Sequence, residues 1–237
     1  MWNLLLYRVA PVICILVNGA CIGRLYGFTP AAVFWWVLFW ICGSAIHMAL
    51  HETGHLLGGL CSGYKLVFCQ VGPLRLASSG DGKLSLRVRR DRSGQCVMAP
   101  ASLQRIRYIR YNAGGILVNL LVCAGALPLC RAVPGYGGFF FLQLFFAGLP
   151  KLYTNCIPCL SGGCPNDAYI LRLLTGNPAC RRDYGTYLYV YARRFWGLPV
   201  RRQDYAYERT EEGKKAERIY YDALQELLEE SEGEKDG

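Results

Sequence analysis

The sequence predicts an all-α polytopic membrane protein. It would have about four transmembrane helices, a small β-hairpin after the second of them, and a helical cytosolic tail. Three observations carry this prediction. First, 53% of the 237 residues are hydrophobic while the formal net charge is +9; the two are compatible when the apolar residues are segregated. Second, they are segregated into four runs, at about residues 4–22, 30–60, 111–129 and 139–159, and a span needs about 20 apolar residues to cross about 30 Å of hydrocarbon. Third, the basic residues are one-sided. Residues 62–110 hold ten Lys/Arg and two Asp, the chain after the fourth run holds twelve more Lys/Arg, and the two short loops facing the other way hold only Arg24 and Arg131. The positive-inside rule then places segment 62–110 and the C-terminus in the cytosol, and four spans place the N-terminus there too. The chain divides on this reading into a membrane-embedded domain, residues 1–174, and a cytosolic tail, residues 175–237.

Topology and anionic lipid account for the basic charge. No nucleic-acid partner is expected, since no recognition motif accompanies the charge. Twelve cysteines would mark a disulfide scaffold in a small secreted domain. Here most lie in or beside the apolar runs, as small hydrophobes do. Cys156-x-x-Cys159 with Cys164 is a candidate metal or redox cluster. Reduced, packed thiols are the simpler reading, because no second Cys pair completes a four-ligand site.

Residues 4–22 read as a scaffold helix whose only charged residue is Arg8. A small-residue cleavage site is lacking and another span follows at once, so the run reads as a helix rather than a signal peptide. Residues 23–29 form a short turn, and Pro30 suits the first turn of the next helix. That helix is aromatic at its outer end (Phe34, Trp35, Trp36, Phe39, Trp40), as expected near an interface. It then turns small and polar at Gly43, Ser44 and His47.

His51-Glu52-Thr53-Gly54-His55 follows and reads H-E-x-x-H. Residues four apart share a helix face, so the two imidazoles can hold one zinc ion. Glu52 stands beside them, where it can take a proton from the attacking water as the catalytic base. The chain has only three histidines, so a chance match is rare, about one in several hundred. Two histidines and a glutamate inside a bilayer are also expensive unless paired or metal-bound. His47 is in register, yet it lies about 12 Å of helix rise from His55 and cannot share one ion with both others. It either contacts a ligand or a water of the site, or packs as a core histidine.

Residues 61–90 break the helical pattern. Residues 65–70 are strand-like, Leu84, Leu86 and Val88 alternate with Ser85, Arg87 and Arg89, and Ser79-Gly80-Asp81-Gly82 is a turn signal. The expected hairpin either offers an open edge to an extended substrate segment or covers the site as a loop. Arg105, Arg107 and Arg110 anchor the start of the third span, and Asn112-Ala113-Gly114-Gly115 is small enough for close helix packing. Asn119 in that span either binds substrate backbone or hydrogen-bonds a neighbouring helix.

The fourth span ends in Asn155-Cys156-Ile157-Pro158, then an irregular stretch over 159–165, then Asn166-Asp167. Irregular backbone at membrane depth belongs beside protein or a water-filled cavity. A catalytic zinc takes three protein ligands and keeps one open position. Asp167 is the natural third ligand. The alternative is that Asn166 or Asp167 caps a helix over 168–174. Beyond it, tyrosines and arginines dominate through Arg202, on the membrane surface or under the bundle. Residues 208–230 read as one amphipathic helix with Ile219, Leu224, Leu227 and Leu228 on its apolar side, and 231–237 as a frayed acidic end.

Three pieces in order resemble the site-2 protease family of intramembrane zinc metalloproteases. They are H-E-x-x-H in one span, Gly114-Gly115 with Asn119, and Asn155, Pro158 and Asp167. The resemblance covers about residues 30–174. In the family the aspartate is usually followed by Gly; here Ala168 follows, and the spacing from Asn155 is longer. No PDZ-like insertion is present, so selection of substrates by such a module is not implied. The resemblance implies one zinc ion held by His51, His55 and Asp167, catalysis by Glu52, and substrate contacts from Asn119 and Asn155. The implied partner is a transmembrane protein or peptide cleaved in or near its span. A short multi-span chain of this kind suits the bacterial cell membrane. The competing reading is a non-proteolytic membrane metalloprotein or scaffold acting as a regulator; Glu52 argues against an inert scaffold, which has no use for a base there.

Overall fold

The computed structural model describes residues 2–91, 93–161 and 164–233. Apolar sequence sets its first elements. Among the described residues, α1 (Trp2–Tyr26), α2 (Pro30–Leu60) and α3 (Tyr108–Ala132) hold stretches long and apolar enough to cross a membrane. Four such helices were expected and three qualify. α4 (Gly135–Cys156) has 22 residues but falls short in apolarity, diluted by its glycines, Gln143, Lys151 and Asn155. The expectation that both chain ends share one side assumed an even number of spans, and so depends on α4.

The chain forms two compact units, Met1–Gly54 with Gly115–Tyr169, and His55–Gly114 with Ile170–Gly237. In the first, α1 packs on α4 through a reciprocal amide pair. Asn18 Nδ2 donates to Gln143 Oε1 at 2.8 Å, and Gln143 Nε2 donates to Asn18 Oδ1 at 3.2 Å. Both residues are wholly buried, and each satisfies the other where water cannot. Tyr26 stacks on Phe139 nearby, ring centroids 4.5 Å apart.

The second unit holds more β-structure than the single hairpin expected. β1 (Tyr64–Val71), β2 (Leu74–Ser78), β3 (Leu84–Val88) and β4 (Gly94–Pro100) form an antiparallel sheet in the order β3-β2-β1-β4. The turn at residues 79–82 joins β2 to β3, so the two segments read as partners from sequence, 65–70 and 84–88, are not adjacent. The β1–β4 register shifts between Leu66 and Phe68. That bulge turns two successive side chains, Val67 and Phe68, into the core. Met98, Tyr111, Leu174, Tyr184 and Leu188 complete it. β3 lies outside this core, and Leu84, Leu86 and Val88 stay 61%, 68% and 78% exposed.

α5 (Asp167–Leu174) and α6 (Pro178–Phe195) follow a two-stranded pair, β5 (Leu160–Ser161) and β6 (Cys164–Pro165). The stretch expected to be irregular is thus paired where it is described; Gly162 and Gly163 lie outside the described residues. Asn177 caps α6, accepting from Cys180 N at 3.1 Å, and Pro178 opens the helix. Residues 208–230 do not form one helix. They make α8 (Glu211–Lys214) and α9 (Ile219–Gly233), and α9 buries Leu224 and Leu228 against Val190 and Val200. α9 carries the expected acidic end as far as Gly233, and residues 234–237 lie outside the described residues. A short helix, α7 (Arg202–Tyr205), precedes them. Beneath this layer Arg209 Nη2 donates to Asp183 Oδ2 at 2.7 Å, with both side chains 3% exposed. The Tyr207 hydroxyl donates to the other carboxylate oxygen. Burial first, and that hydrogen bond second, push the Tyr207 phenol well above the ordinary tyrosine range; burial does the same to Tyr64 and Tyr184.

Candidate metal centre

α2 carries the H-E-x-x-H residues on its inner face: His51, Glu52 and His55 are 9%, 7% and 7% exposed. The spacing of four puts the two imidazoles one turn apart. Each ring is held by its Nδ1. His55 Nδ1 lies 2.8 Å from the carbonyl oxygen of Tyr111, near the start of α3. A carbonyl only accepts, so His55 carries its hydrogen on Nδ1 and leaves Nε2 bare. His51 Nδ1 lies 3.2 Å from the side-chain amide of Asn119, also on α3. Asn119 is 1% exposed and also touches His47. Of the two roles open to Asn119 from sequence, the hydrogen bonds to a neighbouring helix are present.

Asp167 reaches the same place from the first turn of α5, with Oδ2 3.1 Å from His51 Nε2. Its neighbour does the capping. Asn166 Oδ1 accepts from Tyr169 N at 2.9 Å and from Cys159 N at 3.1 Å. Asn166 Nδ2 donates to the carbonyls of Thr154 and Ile157, 2.6 Å from each. One amide therefore ties the end of α4 to the start of α5 and leaves the Asp167 carboxylate for His51.

His51, His55 and Asp167 each offer one ligand atom, and these atoms all lie within 4.8 Å of one another. The group can hold a metal ion. Two imidazoles and a carboxylate form a donor set that zinc takes, and that other transition-metal ions take as well. Hydrogen bonds at the far nitrogen of each ring are what orients metal-bound histidines.

Other sequence candidates lie elsewhere. Asn155 sits in the last turn of α4, where its Nδ2 donates to Lys151 O at 3.0 Å. Cys156, Cys159 and Cys164 are all free thiols and form no metal-type cluster among the described residues. The Tyr111 carbonyl was not anticipated, because a backbone group leaves no mark in a sequence. Comparison of the chain with protein-family models, with curated proteins and with solved structures finds no match.

Proposed function

We propose that the chain is a zinc-dependent intramembrane endopeptidase, hydrolysing peptide bonds in or near transmembrane segments of other proteins. The observation that carries this reading is the His51–His55–Asp167 group, whose two histidines lie with Glu52 on a helix long and apolar enough to span a membrane. Zinc, when bound, supplies a Lewis acid and brings the pKa of water toward about 7. Glu52 accepts the proton of the attacking water and delivers it to the amine nitrogen as the C–N bond breaks. Its burial at 7% exposure keeps bulk water from competing for that proton. The substrate helix must unwind locally first, since its peptide bonds are shielded by helical hydrogen bonds. The exposed edge of β3 offers one place for the resulting extended segment to pair. The basic segment 62–110 and the tail face the cytosol of a bacterial cell membrane in this proposal.

The test pairs metal content with cleavage. The native chain in detergent is expected to hold about one zinc, and His51→Ala and Asp167→Ala to lose it. Glu52→Gln is expected to keep zinc and to stop cleavage of single-span peptides co-reconstituted with the protein. Wild-type cleavage by Glu52→Gln refutes the mechanism. Zinc binding with no cleavage across a broad peptide panel favours the non-proteolytic regulator.

A further inference from the structure

Of the three histidines, only His47 stands outside the metal group. It is wholly buried. Its Nε2 lies 2.9 Å from the carbonyl oxygen of Leu144, and its Nδ1 lies 3.0 Å from the Asn119 amide. The other edge of that amide lies 3.2 Å from His51 Nδ1. A continuous path of hydrogen bonds thus runs from the backbone of α4, through two side chains, to a metal ligand.

Two acceptor-only groups bound the path, the Leu144 carbonyl at one end and the Asp167 carboxylate, 3.1 Å from His51 Nε2, at the other; an ion held between His51 and Asp167 would leave the Leu144 end to set the direction. The Leu144 carbonyl only accepts, so His47 Nε2 carries hydrogen. A neutral imidazole then presents a bare Nδ1, which needs a donor. In the structure Asn119 turns Oδ1 to His47 and Nδ2 to His51. That orientation asks for hydrogen on both ring nitrogens of His47. An amide turned over by 180° fills the same volume. Nδ2 then donates to His47 Nδ1, and Oδ1 accepts from His51 Nδ1. His51 then holds its hydrogen on Nδ1 and presents Nε2 as a metal donor beside Asp167, matching the state the Tyr111 carbonyl imposes on His55.

We infer that His47, acting through Asn119, fixes the tautomer of His51 and is a positioning residue of the metal site. This rests on the metal-site reading and is independent of proteolysis. Two readouts test it. In the zinc-loaded native chain with 15N-labelled histidine, His47 is expected to show one protonated nitrogen, Nε2, and one bare nitrogen, Nδ1. Zinc affinity, measured by chelator competition, is expected to fall about 10–100-fold in His47→Leu. His47→Gln keeps a donor for Leu144 and an acceptor for Asn119, and is expected to stay close to native affinity. A doubly protonated His47, a His47→Leu chain that binds as the native does, or a folded His47→Gln chain as weak as His47→Leu overturns the inference. If His47→Leu does not fold, the spectrum of the native chain decides. Absence of zinc binding by the native chain overturns this inference and the metal reading together. Zinc binding without cleavage overturns the enzyme reading alone.

Discussion

Asp183 and Arg209 form an ion pair with both side chains almost fully buried, completed by the Tyr207 hydroxyl. Removing one member strands the other in a low-dielectric setting. Asp183→Ala is expected to cost about 3–5 kcal/mol of stability, read as a lower denaturation midpoint of the detergent-solubilised protein. The exposed Lys83–Asp81 pair, 3.0 Å apart at 86% and 53% exposure, contributes little by contrast, and Lys83→Ala should leave that midpoint unchanged. Tyr64, Tyr184 and Tyr207 add a pH dependence. Their folded-state phenols titrate above the ordinary value, chiefly through burial. Above about pH 10 the unfolded chain releases these protons while the folded chain keeps them. Stability is therefore full below about pH 10 and falls as pH rises past it. Melting in detergent between pH 8 and 11 checks this, and Tyr207→Phe should blunt the fall.

Gly58 shows how an element sets a ligand. A Cβ there would meet Arg110 O at 2.1 Å, so α2 and the start of α3 touch backbone to backbone. The same approach brings the Tyr111 carbonyl to His55 Nδ1. Gly58→Ala must push that backbone away, at an overpacking cost of about 1–3 kcal/mol. It is expected to weaken zinc binding as well, although Gly58 touches no metal; equal zinc affinity in a folded Gly58→Ala chain would refute the coupling. Elements of this protein were unevenly legible from sequence. α2 and α3 announce themselves by length and apolarity. β4 does not, because Cys96 to Pro100 are all buried and show no alternation. The alternation in β3 misleads in the other direction: it reads as a half-buried strand, yet the strand lies at an edge with both faces open. In the tail, the break between α8 and α9 interrupts an otherwise helical apolar spacing.

The molecule as a whole exposes apolar side chains along its long helices, among them Leu16 at 67%, Phe34 at 60%, Ile41 at 60% and Leu121 at 61%. Patches of this kind are compatible with a lipid or detergent surround. The protein is expected to stay in the membrane pellet through an alkaline carbonate wash; release into the supernatant would refute integral insertion. The candidate site follows the same logic of scale. His51, Glu52 and His55 are legible because their relation is local to one helix. Asp167 is legible only by counting ligands, since the fold must bring it back from a distant part of the chain. The Asn166 cap was one of two readings open from sequence and is present, whereas the Tyr111 carbonyl acts through backbone geometry, which the sequence does not spell out.

The open side of β3 has a practical consequence. A strand paired on one side only, carrying Leu84, Leu86 and Val88 in the open, is a template for sticking to another copy. Arg87, Arg89 and Arg90 on and just after it keep copies apart by repulsion, over a range of about 10 Å at 0.1 M salt and about 3 Å at 1 M. Purified protein should therefore clump as salt is raised, against the usual habit of adding salt to keep basic proteins in solution. Leu86→Lys should keep it dispersed at both salt concentrations in a light-scattering assay.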